Sequence, residues 1–208
     1  PGLVETDELP DTHAFIGPLL WSYPARLPEW WDRAMSSSKP RVFVTLGSSG
    51  PAALLPNVVD ALRAEDVTVL VATAGRASVK PDPSVFAADY LPADRACAAA
   101  DIVICNGGSP MVYAALAAGR PVLGIPSNMD QHMMIEAAAR AGCAIGLRSE
   151  QASAAQLQRA FRSLLGNEAA AQRAREWQKA ITSFATSAIF ARILERALPV
   201  AALETVSG

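Results

Sequence analysis

The sequence predicts an α/β fold, with a Rossmann-like parallel sheet that carries helices on both faces. Short runs of apolar, β-branched residues alternate with segments whose apolar residues recur at helical spacing. The strand-like runs are apolar at successive positions, as expected of strands covered on both faces. Strands that alternate with helices through short connections favour a parallel sheet. At 208 residues, 51% of them hydrophobic, the chain can bury one such domain plus an appendage.

Six strands and several helices follow one another along the chain. The predicted strands are 41–47, 67–73, 85–92, 101–105, 121–126 and 143–147. Helices are expected over 52–65, 93–100, 111–119 and 134–142, and from 153 to 198 the chain reads as wholly helical. Gly119 and Gly142 are expected to end two of these helices, because glycine readily adopts the left-handed conformation after a last turn.

The chain divides by composition into three parts. Residues 1–38 read as an N-terminal segment and interdomain linker, residues 39–198 as the main domain, and residues 199–208 as a tail. Three of the four tryptophans, Trp21, Trp30 and Trp31, lie in the first part, and the simplest interpretation is that they pack on the domain. Because the chain starts at Pro1, we expect it to be a piece of a longer protein.

Charge and cysteine content argue against several classes of protein. The net charge is −2 and the basic residues are scattered, so no nucleic-acid partner is expected. Cys97, Cys105 and Cys143 lie in apolar surroundings without CxxC spacing, which favours buried thiols over a disulfide framework or a zinc site. No apolar run reaches the roughly 18 residues of a membrane span, and no signal peptide is apparent. We therefore expect a cytoplasmic location.

Two glycine-rich turns follow predicted strands, at 47–50 and at 107–109. In open parallel sheets ligands bind at the carboxyl ends of strands, where unpaired amides at helix N-termini suit phosphate. The two turns could therefore hold a diphosphate between them. Neither matches GxxxxGK[ST] or GxGxxG, and Ser109 with Pro110 could simply be a helix N-cap followed by the first helical residue.

Asp130 and Gln131 come after the fifth predicted strand and before a helix. A carboxylate accepts hydrogen bonds from two neighbouring hydroxyls, while a carboxamide both donates and accepts. This pair therefore suits the edge of a sugar. The alternative is that Asp130 is the N-cap of the helix.

A family resemblance is carried by four stretches in a fixed order. They are GSSG (47–50), YLP (90–92), DIVICNGGSPMVYAALAAGRPVLGIPSNMDQ (101–131) and AGCAIGL (141–147). Together they resemble the C-terminal, donor-binding domain of GT-B nucleotide-sugar glycosyltransferases, over roughly residues 14–198. The likeness is greatest to bacterial enzymes of the UDP-glycosyltransferase superfamily that act on macrolides and other natural products, as in antibiotic biosynthesis. The resemblance implies the C-terminal half of a GT-B fold, with an acceptor-binding N-terminal domain outside this chain.

The resemblance also implies site roles for particular positions. Diphosphate-binding residues would be Gly47, Ser48, Ser49, Asn106, Gly107, Gly108 and Ser109; Tyr90, Leu91 and Pro92 would lie beside the base, and Asp130 and Gln131 would hold the sugar. The substrate would be a UDP- or dTDP-sugar, with no cofactor and no metal. No catalytic residue is expected here, because the family's base is a histidine of the N-terminal domain.

Three positions depart from the family pattern. Asn106 stands where a histidine is usual, Pro110 where glycine or serine is usual, and Met111 where a phosphate-binding threonine is usual. Loss of one charge-assisted hydrogen bond could weaken donor binding by one to two orders of magnitude, about 1.5 to 3 kcal/mol.

These observations leave alternative functions open. The leading hypothesis is a hexosyltransferase that inverts the anomeric centre, inactive as this chain alone; a second is a non-catalytic, glycosyltransferase-like auxiliary protein. A sugar epimerase or a peptidoglycan glycosyltransferase of the same fold is disfavoured by the terminal helices and the Asp-Gln pair. Small-molecule acceptor binding would need the missing domain, and we expect a homodimer to be able to form through the face bearing Phe184 and Ile189.

Overall fold

A parallel sheet of six strands organises the protein in the computed structural model, which describes residue 10 and residues 13–198. The strands are β1 Arg41–Thr45, β2 Thr68–Ala72, β3 Val85–Ala88, β4 Ile102–Cys105, β5 Val122–Gly124 and β6 Ala144–Gly146. Their order is β3-β2-β1-β4-β5-β6, and every neighbouring pair is parallel. The predicted tail, 199–208, and most of residues 1–12 lie outside the described residues.

Helices cover both faces of this sheet. They are α1 Trp31–Met35, α2 Leu55–Arg63, α3 Ala93–Ala99, α4 Ser109–Ala117, α5 Met129–Arg140, α6 Ala154–Leu164, α7 Glu168–Thr182 and α8 Thr186–Ala197. In β1, Phe43 faces one core layer, with α3, α4, α5 and most of α7, whereas Val42 and Val44 face the other, with α2 and α6. This alternation follows from the two-residue period of a strand. The predicted Rossmann-like class is confirmed.

The strand order reverses between β1 and β4. From β1 the chain proceeds outward through β2 and β3, then returns to β4 on the other side of β1. Thr45 and Cys105, the last residues of β1 and β4, are register partners. The turns after these strands are therefore neighbours at the crevice where open α/β sheets bind ligands.

All six predicted strands are present, but three helix predictions need correction. α5 begins at Met129, five residues before its predicted start, because the Asn128 side chain caps it by accepting from Gln131 N–H at 3.0 Å. The helical run to 198 is interrupted twice, between Leu164 and Glu168 and between Thr182 and Thr186. The predicted N-terminal segment and linker, for which no helix was expected, contains the short helix α1.

The N-terminal segment packs on the domain at several points. Trp31 is buried, and the Trp30 indole lies 5.5 Å from the Phe86 ring and donates to the Ala87 carbonyl at 3.1 Å. Ser22 Oγ donates to Asp94 at 2.6 Å. Trp21 differs from its predicted packing, because 69% of its surface is exposed.

The apolar face near the C-terminus is partly covered by the same segment. The Phe184 ring lies 5.6 Å from that of Phe15, and Phe184 and Ile189 are both half-buried. The exposed apolar side chains of α8 are instead Phe190 and Leu194. The face bearing Phe184 and Ile189 is therefore partly occupied by contacts within the chain itself.

Candidate functional site

A cleft of about 290 Å³ lies at the switch point between β1 and β4. Seven of the twelve predicted site residues line it: Gly47, Ser48, Ser49, Tyr90, Leu91, Asn106 and Gly108. Gly107, Ser109, Pro92, Asp130 and Gln131 are not among the lining residues. The two glycine turns and the YLP stretch, far apart in sequence, thus converge as predicted.

The turn after β1 is shaped by close backbone contacts. Gly47 adopts a positive φ of 61°, and its N–H donates to Thr45 Oγ1 at 3.3 Å. A Cβ at Gly50 would overlap the Leu46 carbonyl oxygen, so only glycine fits there without a shift. Arg76 donates to the carbonyls of Gly47 and Gly50, each at 3.1 Å.

Asn106 connects this turn to the one after β4. Its side chain is 6% exposed; Nδ2 donates to Ser49 Oγ at 3.3 Å, and Oδ1 accepts from Gly108 N–H at 3.2 Å. The second bond, from residue i+2 back to an asparagine side chain, is an Asx turn. Asn106 therefore holds the two turns together. Its neutral carboxamide donates one N–H to the first turn and accepts at its oxygen from the second.

Gly107 brings the second turn close to α5. Its φ is 83°, and a Cβ there would lie 2.5 Å from Ile135 Cγ1 and 3.1 Å from the Gln131 carbonyl oxygen. Its N–H donates to the Cys105 sulfur at 3.4 Å. Gly107 is thus a packing glycine, and its amide faces the buried thiol.

Few amides at the start of α4 remain for an anion. Gly108 is the N-cap of α4 and Ser109 is its first helical residue, so Ser109 is not the N-cap and no side chain caps this helix. Gly108 N–H is bonded to Asn106, Pro110 has no N–H, and Met111 N–H donates to the Gly108 carbonyl at 3.1 Å. Within the described residues, Ser109 N–H has no acceptor.

Aromatic side chains form one wall of the cleft. Tyr90, which is 50% exposed, lies with its ring 4.9 Å from that of Tyr23, and Trp21 lies 6.2 Å from Tyr23. Leu91 and Pro92 are buried, Pro92 as the N-cap of α3. Sequence reasoning predicted Tyr90 but missed Trp21 and Tyr23 as lining residues. The alternation of aromatic and polar residues in LLWSYP was the available signal.

Asp130 and Gln131 have different surroundings in the first turn of α5. Asp130 is exposed and is not the N-cap, a position that Asn128 takes. Gln131 is 1% exposed: its Oε1 accepts from Ser127 N–H at 2.9 Å, and Nε2 donates to Ser49 Oγ at 3.4 Å. Gln131 therefore braces the loop before α5 and contacts the same hydroxyl as Asn106.

Two thiols lie beneath the cleft. Cys97 and Cys105 are buried and free, as predicted, and Cys97 Sγ lies 4.0 Å from Met111 Sδ. Burial raises the pKa of Cys105 to about 12 and also raises the pKa of Cys97. Both therefore stay neutral thiols at physiological pH and do not offer a nucleophile to the cleft.

Neither a metal cluster nor a membrane span is found in residue 10 and residues 13–198. In that part of the chain no three His, Cys, Asp or Glu side chains come together as a metal site would require. No helix there has the length and apolarity needed to cross a bilayer.

Most of the chain matches a known protein family. Residues 54–196 fit the family model described as "Erythromycin biosynthesis protein CIII-like, C-terminal domain". The chain belongs to this family. This confirms the resemblance to GT-B donor-binding domains, and the sheet with its switch point is the fold of those domains.

Two mycobacterial proteins share nearly half of the aligned residues with this chain. A PGL/p-HBAD biosynthesis glycosyltransferase of Mycobacterium tuberculosis is 45% identical over 181 residues, which are 86% of this chain and 42% of the relative. A PGL/p-HBAD biosynthesis rhamnosyltransferase of Mycobacterium bovis is 46% identical over 152 residues, 73% of this chain and 34% of the relative. The chain thus spans less than half the length of these relatives.

A solved structure of similar fold contains a nucleotide. It is a spinosyn rhamnosyltransferase complexed with thymidine diphosphate, with a TM-score of 0.73 and 25% identity, covering 94% of this chain and 54% of that one.

Proposed function

We propose that this chain is the donor-binding part of a glycosyltransferase. It would bind a UDP- or dTDP-sugar and support transfer of a hexosyl group to a hydroxyl of a small lipophilic natural product. The observation that carries the proposal is the convergence of two glycine turns, joined by the bond from Asn106 to Ser49, with an exposed aromatic wall at one cleft. Family membership and the relatives' names support the reaction class.

We assign the parts of the donor to the parts of the cleft. The base would stack against the wall formed by Tyr90 and Tyr23, and aromatic faces accept any base, so either uracil or thymine fits this assignment. The diphosphate would lie between Gly47, Ser48 and Ser49 on one side and Asn106 to Ser109 on the other. Asp130, exposed at the start of α5, would accept from sugar hydroxyls, whereas Gln131 would act mainly by holding Ser49 and Ser127 in place.

Bond formation would occur at the anomeric carbon. The acceptor oxygen forms a bond to that carbon from the face opposite the donor diphosphate, and the bond from the carbon to the diphosphate oxygen breaks. The hydroxyl proton passes to a base in a domain outside this chain, and the nucleoside diphosphate leaves with the bonding electrons. Because attack and departure occur on opposite faces, the configuration would invert. Amides at the two turns, rather than a metal ion, would stabilise the growing negative charge of the leaving group.

A second candidate is a glycosyltransferase-like protein without catalysis. Its support is the shortage of free amides at α4, where Asn106 occupies Gly108 N–H and Pro110 has none. Under this alternative, Met111→Thr restores a hydroxyl but no donor binding. Under the transferase proposal, the same substitution strengthens an existing site.

Calorimetric titration with UDP, dTDP and GDP tests the proposal. We expect UDP or dTDP to bind, and the GDP titration shows whether the cleft discriminates between bases. Asp130→Ala should bind the nucleoside diphosphate as the unaltered chain does but lose the added affinity of the sugar nucleotide. Glu136→Ala, an exposed change in the same helix, is the matched control. Absence of binding by all three nucleotides would favour the auxiliary protein.

The remaining proposals concern the whole protein. We propose that acceptor binding and turnover need an additional N-terminal domain, so that the 208-residue chain alone transfers no sugar. Measurable transfer by the purified chain would contradict this. A homodimer, if it forms, would use the exposed Phe190 and Leu194 of α8, and sedimentation at increasing concentration tests that interface.

A further inference from the structure

Arg76 is fixed on the backbone of the turn after β1. A single guanidinium nitrogen, Nη1, donates to the carbonyl oxygens of Gly47 and Gly50, both at 3.1 Å. These carbonyls begin and end the predicted diphosphate turn. Arg76 comes from the loop after β2 and is not one of the cleft-lining residues, so it holds the turn from outside the cleft.

A strained turn places Arg76 in this position. Ala74 has a φ of 54° and Gly75 a φ of 67°, and Arg76 N–H closes the turn by donating to the Thr73 carbonyl at 3.1 Å. Ala74 is the only non-glycine residue with positive φ in the described part of the chain. This conformation is strained for an alanine, and such strain persists only where the surroundings impose it.

The surroundings that impose it come from the end of β3. Thr73 Oγ1 donates to the Asp89 carboxylate at 2.8 Å, and Ala74 N–H donates to the Asp89 carbonyl at 2.8 Å. Asp89 adjoins Tyr90 of the aromatic wall. The strained turn is therefore tied to the same edge of the cleft that would hold the base.

Among the described residues, the Arg76 guanidinium has no acidic partner. No carboxylate there lies within 4.0 Å of it, whereas seven other basic side chains form such ion pairs. Its positive charge is thus uncompensated beside the glycine turn. Asn106 contributes no charge at the same site.

From these observations we infer that Arg76 is the positioning residue of the diphosphate turn; the inference rests on the proposed function. In a trans peptide the C=O and N–H bonds point in opposite directions. Because Arg76 holds the Gly47 carbonyl from outside the cleft, the N–H of the same peptide, that of Ser48, is directed away from Arg76 and toward the cleft that Ser48 lines. Arg76 also polarises this peptide, which strengthens the amide as an anion donor.

Titration of substituted chains with UDP and dTDP tests the assignment. We expect Arg76→Ala to bind the nucleotide about tenfold or more weakly, as for loss of charge-assisted bonds. Arg76→Lys keeps the charge and should retain part of the affinity. Millimolar methylguanidinium should restore part of the affinity of Arg76→Ala and leave the unaltered chain unchanged. Arg140→Ala, which removes an exposed ion pair with Glu136, should bind normally.

The outcomes separate this inference from the proposed function. If the unaltered chain binds and Arg76→Ala binds equally well, the role of Arg76 is wrong and the proposed function stands. A loss that neither lysine nor methylguanidinium reverses would mean that the substitution disrupts the loop generally, which also overturns the role. If the unaltered chain binds neither nucleotide, both proposals fail. The Ser48 amide resonance gives a ligand-free check, since it should shift in Arg76→Ala more than in Arg140→Ala.

Discussion

Gly107→Ala should destabilise the protein far more than an equivalent change at Gly166. Both glycines have positive φ, 83° and 75°, so alanine at either position pays about 1 to 2 kcal/mol for the left-handed conformation, offset by about 0.4 to 1 kcal/mol from the unfolded state. A Cβ at Gly166 meets no atom within 4 Å. At Gly107 it would lie 2.5 Å from Ile135 Cγ1, and such overpacking adds about 1 to 3 kcal/mol.

The difference between the two variants isolates the packing of the second turn against α5. Urea unfolding should give a free energy of unfolding lower by at most about 1.6 kcal/mol for Gly166→Ala, and lower by about 1 to 3 kcal/mol more than that for Gly107→Ala. The melting temperature should fall by about 2 to 4 °C per kcal/mol in a domain of this size. Equal losses in the two variants would refute the close approach of Gly107 to Ile135. Nucleotide affinity should fall only in Gly107→Ala, because this turn also carries Asn106.

Three more predictions concern the site and its buried thiols. Asn106→His should bind dTDP or UDP more tightly at pH 6 than at pH 8, since an imidazolium adds the missing charge; a flat pH profile in calorimetry would contradict this. Tyr23→Ala should weaken nucleotide binding, measured by quenching of the exposed Trp21, while Tyr113→Ala serves as a control outside the cleft. Burial raises the pKa of Cys105 to about 12, so the folded chain keeps a proton that the unfolded thiol loses above about pH 8.5; urea midpoints should therefore fall as pH rises beyond that value.

The strands and the glycine turns could be predicted because their signals are local. Runs such as RVFVT and IVIC are apolar at successive positions, and the parallel sheet then brings Gly47 and Gly107 to one edge without further information. The start of α5 was also recoverable. Asn128 is a common N-cap residue, and Gln131, Met134, Ile135 and Ala138 fall on one buried helical face.

The contacts that complete the cleft depend on distant parts of the chain. Tyr23 meets Tyr90 across 67 positions, and Arg76 meets Gly47 across 29, so no periodicity within either segment specifies these pairs. The positive φ of Ala74 was equally inaccessible, because alanine does not favour that conformation and only the surrounding hydrogen bonds impose it. Gln131 was predicted as a sugar ligand from its chemistry and from the family resemblance. Its burial and its bonds to Ser127 and Ser49 depend on tertiary contacts that residue type does not specify.

Under the proposed function, the two turns would contribute unequally to a bound diphosphate. At the start of α4, Gly108 N–H donates to the Asn106 side chain, Pro110 has no N–H, and Met111 N–H donates to the Gly108 carbonyl. Ser109 N–H remains without an acceptor among the described residues. After β1, Arg76 holds the carbonyls and leaves Ser48 N–H without an acceptor among the described residues. Each turn thus offers a free amide, but Arg76 places a positive charge beside the turn after β1 alone. Under the proposed function, anion binding should therefore depend more on that turn than on the helix N-terminus. Under the proposed function, Asn106 and Pro110 reduce what the start of α4 can offer a diphosphate, and the strained turn at Ala74 places Arg76 where it supports the other turn.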